Sequence, residues 1–215
     1  MNQEWNRGKK IWLSAIVLFL SVAVLYFWFS NRHFEVINAP PNGREGIVAV
    51  GDSLVVGVGA SEGKDFITLL SMTLNEPTLN FGRSGDTTGD VLQRIETVLS
   101  KKPSVVIVLV GGNDYLKRIP KSQTFENLGK ITRKIQNSGA AVLILGVRGG
   151  LLSDSYEKDF EDFARAYGTA YVPNVLDGII GKSQYLSPDK IHPNDLGYEK
   201  IARKVLPELR RILNK

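Results

Sequence analysis

The segment from Val48 to Gly59 closes an apolar, β-branched run at Gly51, turns through Asp52 and Ser53, and carries two further glycines, Gly57 and Gly59. That pattern reads as a strand, a tight corner and the beginning of a helix. A serine at such a corner has its hydroxyl lifted out of the sheet, and the corner's N–H groups point into the space beside it. An oxygen that became negative there would meet donors already in place, which is half of an acyl-transfer site. Gly-Asp-Ser is also an ordinary turn composition in which the serine caps a helix, so Ser53 alone does not establish a nucleophile. A nucleotide-binding loop fits less well. Gly57-Val58-Gly59 lacks the third glycine of the dinucleotide fingerprint, and no Gly-Lys-Ser/Thr follows the strand.

A serine hydroxyl needs a partner that takes its proton near neutral pH, most often histidine. The chain has two, and His33 lies next to the N-terminal apolar segment, which leaves His192. It sits in Leu186-Ser187-Pro188-Asp189-Lys190-Ile191-His192-Pro193-Asn194. Asp189, three residues earlier, can fold its carboxylate onto the far ring nitrogen and fix the tautomer. Asp195 is an alternative orienting acid, although an acidic residue is expected in a first helical turn for the dipole. One histidine without a second histidine or a carboxylate cluster makes a poor metal-ligand set.

Two more loops supply donors. Gly85, in Gly82-Arg83-Ser84-Gly85-Asp86-Thr87-Thr88, lets the backbone come close to a substrate, and Asn113, in Gly111-Gly112-Asn113-Asp114, offers a neutral side-chain amide. Singly, Gly85 could merely permit a turn and Asn113 could cap a helix.

The elements that must bring these residues together follow from the periodicity. Short β-branched runs at 47–50, 78–81, 104–110, 141–146 and 170–172 predict strands, and segments 65–74, 88–99, 124–138, 155–167 and 193–213 predict helices. Strands separated by helices imply a parallel sheet covered on both faces, an α/β fold. The run Val105 to Val110 is apolar without alternation, as a central parallel strand should be. Ligands of such sheets collect at the carboxyl ends of the strands, where the loops carrying Ser53, Gly85 and Asn113 all fall.

Ahead of this domain, residues 11–29 hold no charge and reach roughly 28 Å as a helix, enough to span a bilayer. Trp12, Tyr26 and Trp28 sit at its ends, and Arg7, Lys9 and Lys10 precede it against Arg32 after it, which places the N-terminus in the cytoplasm and the domain outside. The bulky Tyr26-Phe27-Trp28-Phe29 end favours a retained anchor over a cleaved signal, the alternative being secretion after cleavage. Residues 30–46, with Pro40-Pro41-Asn42-Gly43, read as a tether, and the domain as 47–215. Without cysteine no disulfide or thiolate chemistry is possible. Of the formal net charge of +5, the first ten residues carry +2, and the rest is too diffuse to point to nucleic acid. The basic last helix, with Arg203, Lys204, Arg210 and Arg211, reads as a solvated face.

Taken together, Gly51-Asp52-Ser53-Leu54, Ser84-Gly85-Asp86-Thr87, Gly111-Gly112-Asn113-Asp114 and Asp189-Lys190-Ile191-His192-Pro193, in this order, resemble the GDSL, or SGNH, hydrolase family. The likeness runs from about Ile47 to the end and is nearest to bacterial multifunctional thioesterase/lysophospholipase and arylesterase types. It implies a flavodoxin-like, three-layer α/β/α domain with Ser53 as nucleophile, His192 as base and Asp189 as its orienting partner. The N–H groups of Ser53 and Gly85 and the Asn113 amide would form the oxyanion hole, with no metal or organic cofactor. Several relatives are released by signal cleavage, and the retained segment here departs from that pattern. Arg148-Gly149-Gly150 stands where relatives shape the acyl pocket. The expectation is a membrane-anchored serine esterase acting on a lipid or small-molecule ester such as a lysophospholipid. A carbohydrate O-acetyl esterase and a non-catalytic acyl- or glycan-binding module are the alternatives.

Overall fold

The computed structural model describes residues 12, 16, 19–21, 35–41, 46–147 and 155–215, in two units, Met1–Phe34 and Glu35–Lys215. In the first unit, Trp12, Ile16 and Phe19 to Ser21 are helical. Among the described residues no helix is long and apolar enough to cross a membrane. Most of the expected span 11–29, and Arg148 to Gly150, lie outside them.

The second unit is built on five parallel strands, β1 (Ile47–Gly51), β2 (Thr78–Gly82), β3 (Val105–Leu109), β4 (Ala141–Leu145) and β5 (Ala170–Val172), in the order β2-β1-β3-β4-β5. Every residue of β1, β3 and β4 is buried, which is why their sequences are apolar without alternation. The register aligns Gly51 with Gly82 on one side and with Leu109 on the other. The loops after β1, β2 and β3 therefore leave the sheet at one level, and what they carry is brought side by side.

The helices are α1 (Ser53–Val56), α2 (Phe66–Leu74), α3 (Thr88–Leu99), α4 (Gly112–Leu116), α5 (Lys121–Asn137), α6 (Ser155–Tyr167) and α7 (Asp195–Leu213), with a 3₁₀ turn at Ser183–Tyr185. α2 packs with α7, and α3 with α5 and α5 with α6, giving a layer on each side of the sheet. Phe66 of α2 stacks on Tyr198 of α7 at 6.4 Å, and the Tyr198 hydroxyl donates to the Val58 carbonyl at 2.8 Å. The final helix is thus fastened to the segment that follows Ser53.

Helix limits follow the caps. The Asp65 carboxylate accepts from Thr68 N–H at 3.0 Å, and Thr87 with Asp90 forms a capping box at the start of α3. α5 begins at Lys121, three residues before the expected Thr124, because Pro120 supplies a fixed φ at the cap position. α7 begins at Asp195 and not Pro193, since Asn194 caps it, its side-chain Oδ1 accepting from Gly197 N–H at 3.1 Å. Part of the expected tether is fastened to the domain: Val36 is buried, Ile37 N–H donates to the Gly168 carbonyl at 3.0 Å, and the Asn38 amide donates to the carbonyls of Gln136 and Ala140.

Candidate active site

Ser53 is the first residue of α1, so its N–H has no partner within the helix. Asp52 caps that helix by accepting from Leu54 N–H at 3.0 Å. Gly51 ahead of it has no room for a side chain, as a Cβ would stand 1.9 Å from the Leu109 carbonyl oxygen. After α1 the chain reverses at Gly57, with φ of 86°. The corner is therefore fixed on both sides of the serine.

His192 reaches it from the other end of the domain. Its loop is a short stapled arch: Leu186 and Pro193 form an antiparallel bridge, and Ser187 N–H donates to the His192 carbonyl at 2.8 Å. Within the arch, one Asp189 carboxylate oxygen accepts from Ser187 Oγ at 2.7 Å, Ile191 N–H at 2.8 Å and His192 N–H at 2.9 Å. The other lies 2.7 Å from His192 Nδ1. The far ring nitrogen, Nε2, lies 2.9 Å from Ser53 Oγ. With the proton on Nδ1, the ring donates to Asp189 and its Nε2 accepts from the serine hydroxyl. The hydrogen bond from the His192 ring, followed by those from Ser187 and the backbone, holds the Asp189 carboxyl well below the usual carboxylate range.

The approach of this arch to the serine depends on Gly59, where φ is +93° and a Cβ would stand 2.6 Å from the Pro193 carbonyl oxygen. A side chain there would occupy the space through which the histidine loop arrives.

The donors lie on the other side of Ser53. The loop after β2 is tied to the strand that leads to Ser53 by Arg83 N–H donating to the Gly51 carbonyl at 2.9 Å. Gly85 has φ of +83° and no atom within 4 Å of where a Cβ would be, so glycine is favoured here by the backbone conformation and not by crowding. The Asn113 amide donates to the Asp86 carbonyl at 3.1 Å and approaches the Asp52 carboxylate at 3.4 Å, which sets it between the two loops. Its neighbour Asp114 is fully buried and accepts from Thr88 N–H at 2.9 Å and Thr88 Oγ1 at 2.5 Å, anchoring α4 to the start of α3. The N–H groups of Ser53 and Gly85 donate to nothing among the described residues. Two free N–H groups and an amide beside a histidine-paired hydroxyl can stabilise the tetrahedral oxyanion of acyl transfer.

The structure brings Ser53, Asp189 and His192 into one hydrogen-bonded chain and sets Gly85 and Asn113 on the loops flanking it. Asp195, the alternative acid, instead accepts from Ser61 N–H at 2.7 Å. Among the described residues no group of three or more His, Asp or Glu side chains is placed to hold a metal ion.

Sequence reasoning did not single out several supporting residues. Ser187 secures Asp189, and its signal was the turn-forming Ser-Pro-Asp run. Arg94 of α3 pairs with Asp86 at 2.6 Å and donates to the Gly51 carbonyl at 3.2 Å, joining the Ser53 corner to the Gly85 loop. Lys117 donates to the Gly85 carbonyl at 2.9 Å. Asp52 is buried, and that burial, offset in part by the Leu54 N–H, pushes its carboxyl up to about 6. A lone arginine or lysine on an amphipathic helix gives no hint of such contacts.

Residues 49–200 match the GDSL-like lipase/acylhydrolase family. The chain is 31% identical over 181 residues to esterase TesA of Pseudomonas aeruginosa, covering 78% of this chain and 89% of that protein. It is 26% identical over 176 residues to the thioesterase 1/protease 1/lysophospholipase L1 of Escherichia coli, covering 78% and 85%. Among solved structures, AlinE4, described as an SGNH-hydrolase family esterase, superposes with a TM-score of 0.63 at 30% identity over 80% of this chain and 98% of that one.

Proposed function

From the premise that this chain belongs to the GDSL-like lipase/acylhydrolase family, we propose that it is a membrane-anchored serine esterase that cleaves lipid acyl esters, of the lysophospholipid kind, through an acyl-Ser53 intermediate. The observation that carries the reading is the run Asp189 Oδ2 to His192 Nδ1 at 2.7 Å and His192 Nε2 to Ser53 Oγ at 2.9 Å. As the Ser53 oxygen forms its bond to the ester carbonyl carbon, His192 Nε2 takes the hydroxyl proton. Asp189 stays a carboxylate and holds the imidazolium. The carbonyl oxygen becomes an oxyanion facing the N–H groups of Ser53 and Gly85 and the Asn113 amide. When the carbon–oxygen bond to the leaving group breaks, His192 returns the proton to the departing alcohol. Water then repeats the sequence against the acyl-serine and frees the acid.

Several things support the finer parts of this reading. The uncharged residues 11–29, flanked by Arg7, Lys9 and Lys10 on one side, have the length and charge bias of an anchor that leaves the domain on the outer side of the cytoplasmic membrane. A site held beside a membrane meets amphiphilic esters first. The E. coli relative carries a lysophospholipase in its name.

The deciding experiment is the Ser53→Ala variant assayed on p-nitrophenyl esters and on lysophosphatidylcholine, with parallel labelling by a fluorophosphonate probe. A fall of several orders of magnitude in turnover and loss of labelling are expected. Turnover near that of the unaltered protein would end the proposal. Protease accessibility of the domain on whole cells tests its placement.

A further inference from the structure

The rim of the site is lined in a way that the chemistry of ester cleavage does not require. Leu116, at the end of α4 three residues after Asn113, is 74% exposed, and Ile191, next to His192, is 66% exposed. Tyr115 is 47% exposed on the same helix. These apolar side chains stand on the two segments that carry Asn113 and His192, so they are grouped at the site and not scattered singly, and grouped exposed apolar side chains mark an interaction surface.

The same loops carry exposed cations. Arg83 precedes Gly85 by two residues, Lys117 and Arg118 follow Leu116, and Lys190 lies between Asp189 and Ile191. Arg83, Arg118 and Lys190 have no acidic partner among the described residues, while Lys117 is fixed on the Gly85 carbonyl. The acidic side chains of these loops are engaged: Asp86 by Arg94, Asp114 by Thr88 and Asp189 by His192. What faces outward around the site is thus apolar at Leu116 and Ile191 and positive beside them.

We propose that this rim docks the active site onto an anionic lipid surface, with Leu116, Tyr115 and Ile191 entering the headgroup layer and Arg83, Arg118 and Lys190 meeting lipid phosphates. The inference rests on the lipid-ester reading of the site and assigns the surface that would present it with substrate. Apolar side chains seat at the boundary between headgroups and acyl chains. Each basic residue near an anionic leaflet contributes about 1 kcal/mol, roughly fivefold in the docked population.

The absence of cysteine makes the test direct. In the full chain reconstituted into vesicles, Leu116→Cys is labelled with a polarity-sensitive maleimide dye, and Tyr115→Cys serves as a second reporter should the first misfold by circular dichroism. Met72→Cys is the control: it is 72% exposed near the end of α2, which leads into the start of β2, whereas the site loops follow the strands' other ends. In vesicles containing roughly a third phosphatidylglycerol, the rim dye should shift to the blue and be quenched by spin-labelled lipid, while the dye at 72 stays aqueous. Replacing Arg83 and Arg118 together by glutamine should lower the ratio of quenched to unquenched protein by about 25-fold. A rim dye as aqueous as the control, or a response as strong in pure phosphatidylcholine, overturns the proposal. Failure of the esterase reading shows itself separately, as absence of Ser53-dependent turnover of a soluble p-nitrophenyl ester whatever the dye reports.

Discussion

Substituting alanine at Gly59 tests whether the histidine loop is delivered through the gap that this glycine leaves. The new Cβ would stand 2.6 Å from the Pro193 carbonyl oxygen and 2.9 Å from Ser187 Cβ. An ordinary carbon–oxygen contact begins near about 3.3 Å, so the neighbours must retreat by roughly 0.7 Å. Neither obstacle is the free end of a flexible side chain. Pro193 is bridged to Leu186, and Ser187 N–H is bonded to the His192 carbonyl, so the arch moves as one piece and takes the imidazole with it. The Ser53–His192 contact of 2.9 Å would open to about 3.6 Å, beyond the roughly 3.2 Å at which a base takes a proton directly. A misplacement approaching 1 Å costs up to about 100-fold in turnover. Gly63→Ala is the matched control, because its φ is +74° and a Cβ there would meet nothing within 4 Å. It should carry only the backbone strain, about 1 kcal/mol, and leave turnover alone. Initial rates on p-nitrophenyl acetate, normalised by fluorophosphonate titration, together with urea unfolding, separate the two effects. If Gly59→Ala turned over within twofold of the unaltered protein, with the stability loss of the control, the reasoning would be refuted.

Asp189→Asn should lower kcat by about 10⁴-fold with an unchanged circular dichroism spectrum, because an amide NH₂ facing His192 Nδ1 forces the ring into the tautomer that cannot accept the serine proton. Asp52, pushed up to about 6 from 3.8, binds its proton more tightly folded than unfolded, so its contribution to stability is complete below pH 3.8 and is lost as pH rises through about 6. Asp52→Asn should accordingly match the unaltered protein near about pH 4 and exceed it near about pH 8 by up to about 3 kcal/mol in urea unfolding. Asp114→Ala leaves the Thr88 N–H buried without an acceptor and should destabilise by about 3 kcal/mol, read as a shift in the denaturant midpoint.

Much of this arrangement was legible before any coordinates, and the part that was not has a common cause. The strands could be placed because β1, β3 and β4 are buried on both faces and so consist of apolar, largely β-branched residues. Thr88 to Leu99 could be bounded because Thr87 and Asp90 are a recognisable capping pair. The helix start after the corner was read, but not that α1 ends after four residues, and α4 escaped altogether, as four or five residues are too few to show a period. Residues 35–41 looked like tether from their prolines, yet Asn38 and Val36 fasten them to the domain through partners about a hundred residues away. Ser53, Gly85 and Asn113 stood out by type and by their position after strands, and His192 with Asp189 by elimination among two histidines, in the loop ahead of the last helix. Arg94, Lys117 and Gly59 did not. Their importance lies in which distant backbone atom they approach, and no local pattern records that.

Asp52, next to Ser53 in the sequence, and Asp189, paired with His192, take different parts for physical reasons. Asp52 adjoins Ser53 directly and would look like the natural partner for a base, but it is buried, and burial without a cation beside it makes its charged form expensive. It serves better as a cap for α1 and as a neighbour that steadies Asn113. Asp189 lies far away in the chain and half in solvent, yet four donors converge on it, so it remains ionised at any pH where the histidine could work. In the proposed mechanism the orienting carboxylate holds an imidazolium through each turnover and needs that certainty of charge, which of these two Asp189 has and Asp52 lacks. The same arithmetic places a limit on the oxyanion side. An ionised Asp52 about one hydrogen bond from the Asn113 amide opposes a second negative charge on the substrate, so the free N–H groups of Ser53 and Gly85 carry the greater share of oxyanion stabilisation, and Asn113→Ala should cost less turnover than any change that displaces the Gly85 backbone. Equal or larger losses for Asn113→Ala than for Gly85→Ala in kcat on one soluble ester would show that the amide, and not the backbone, dominates.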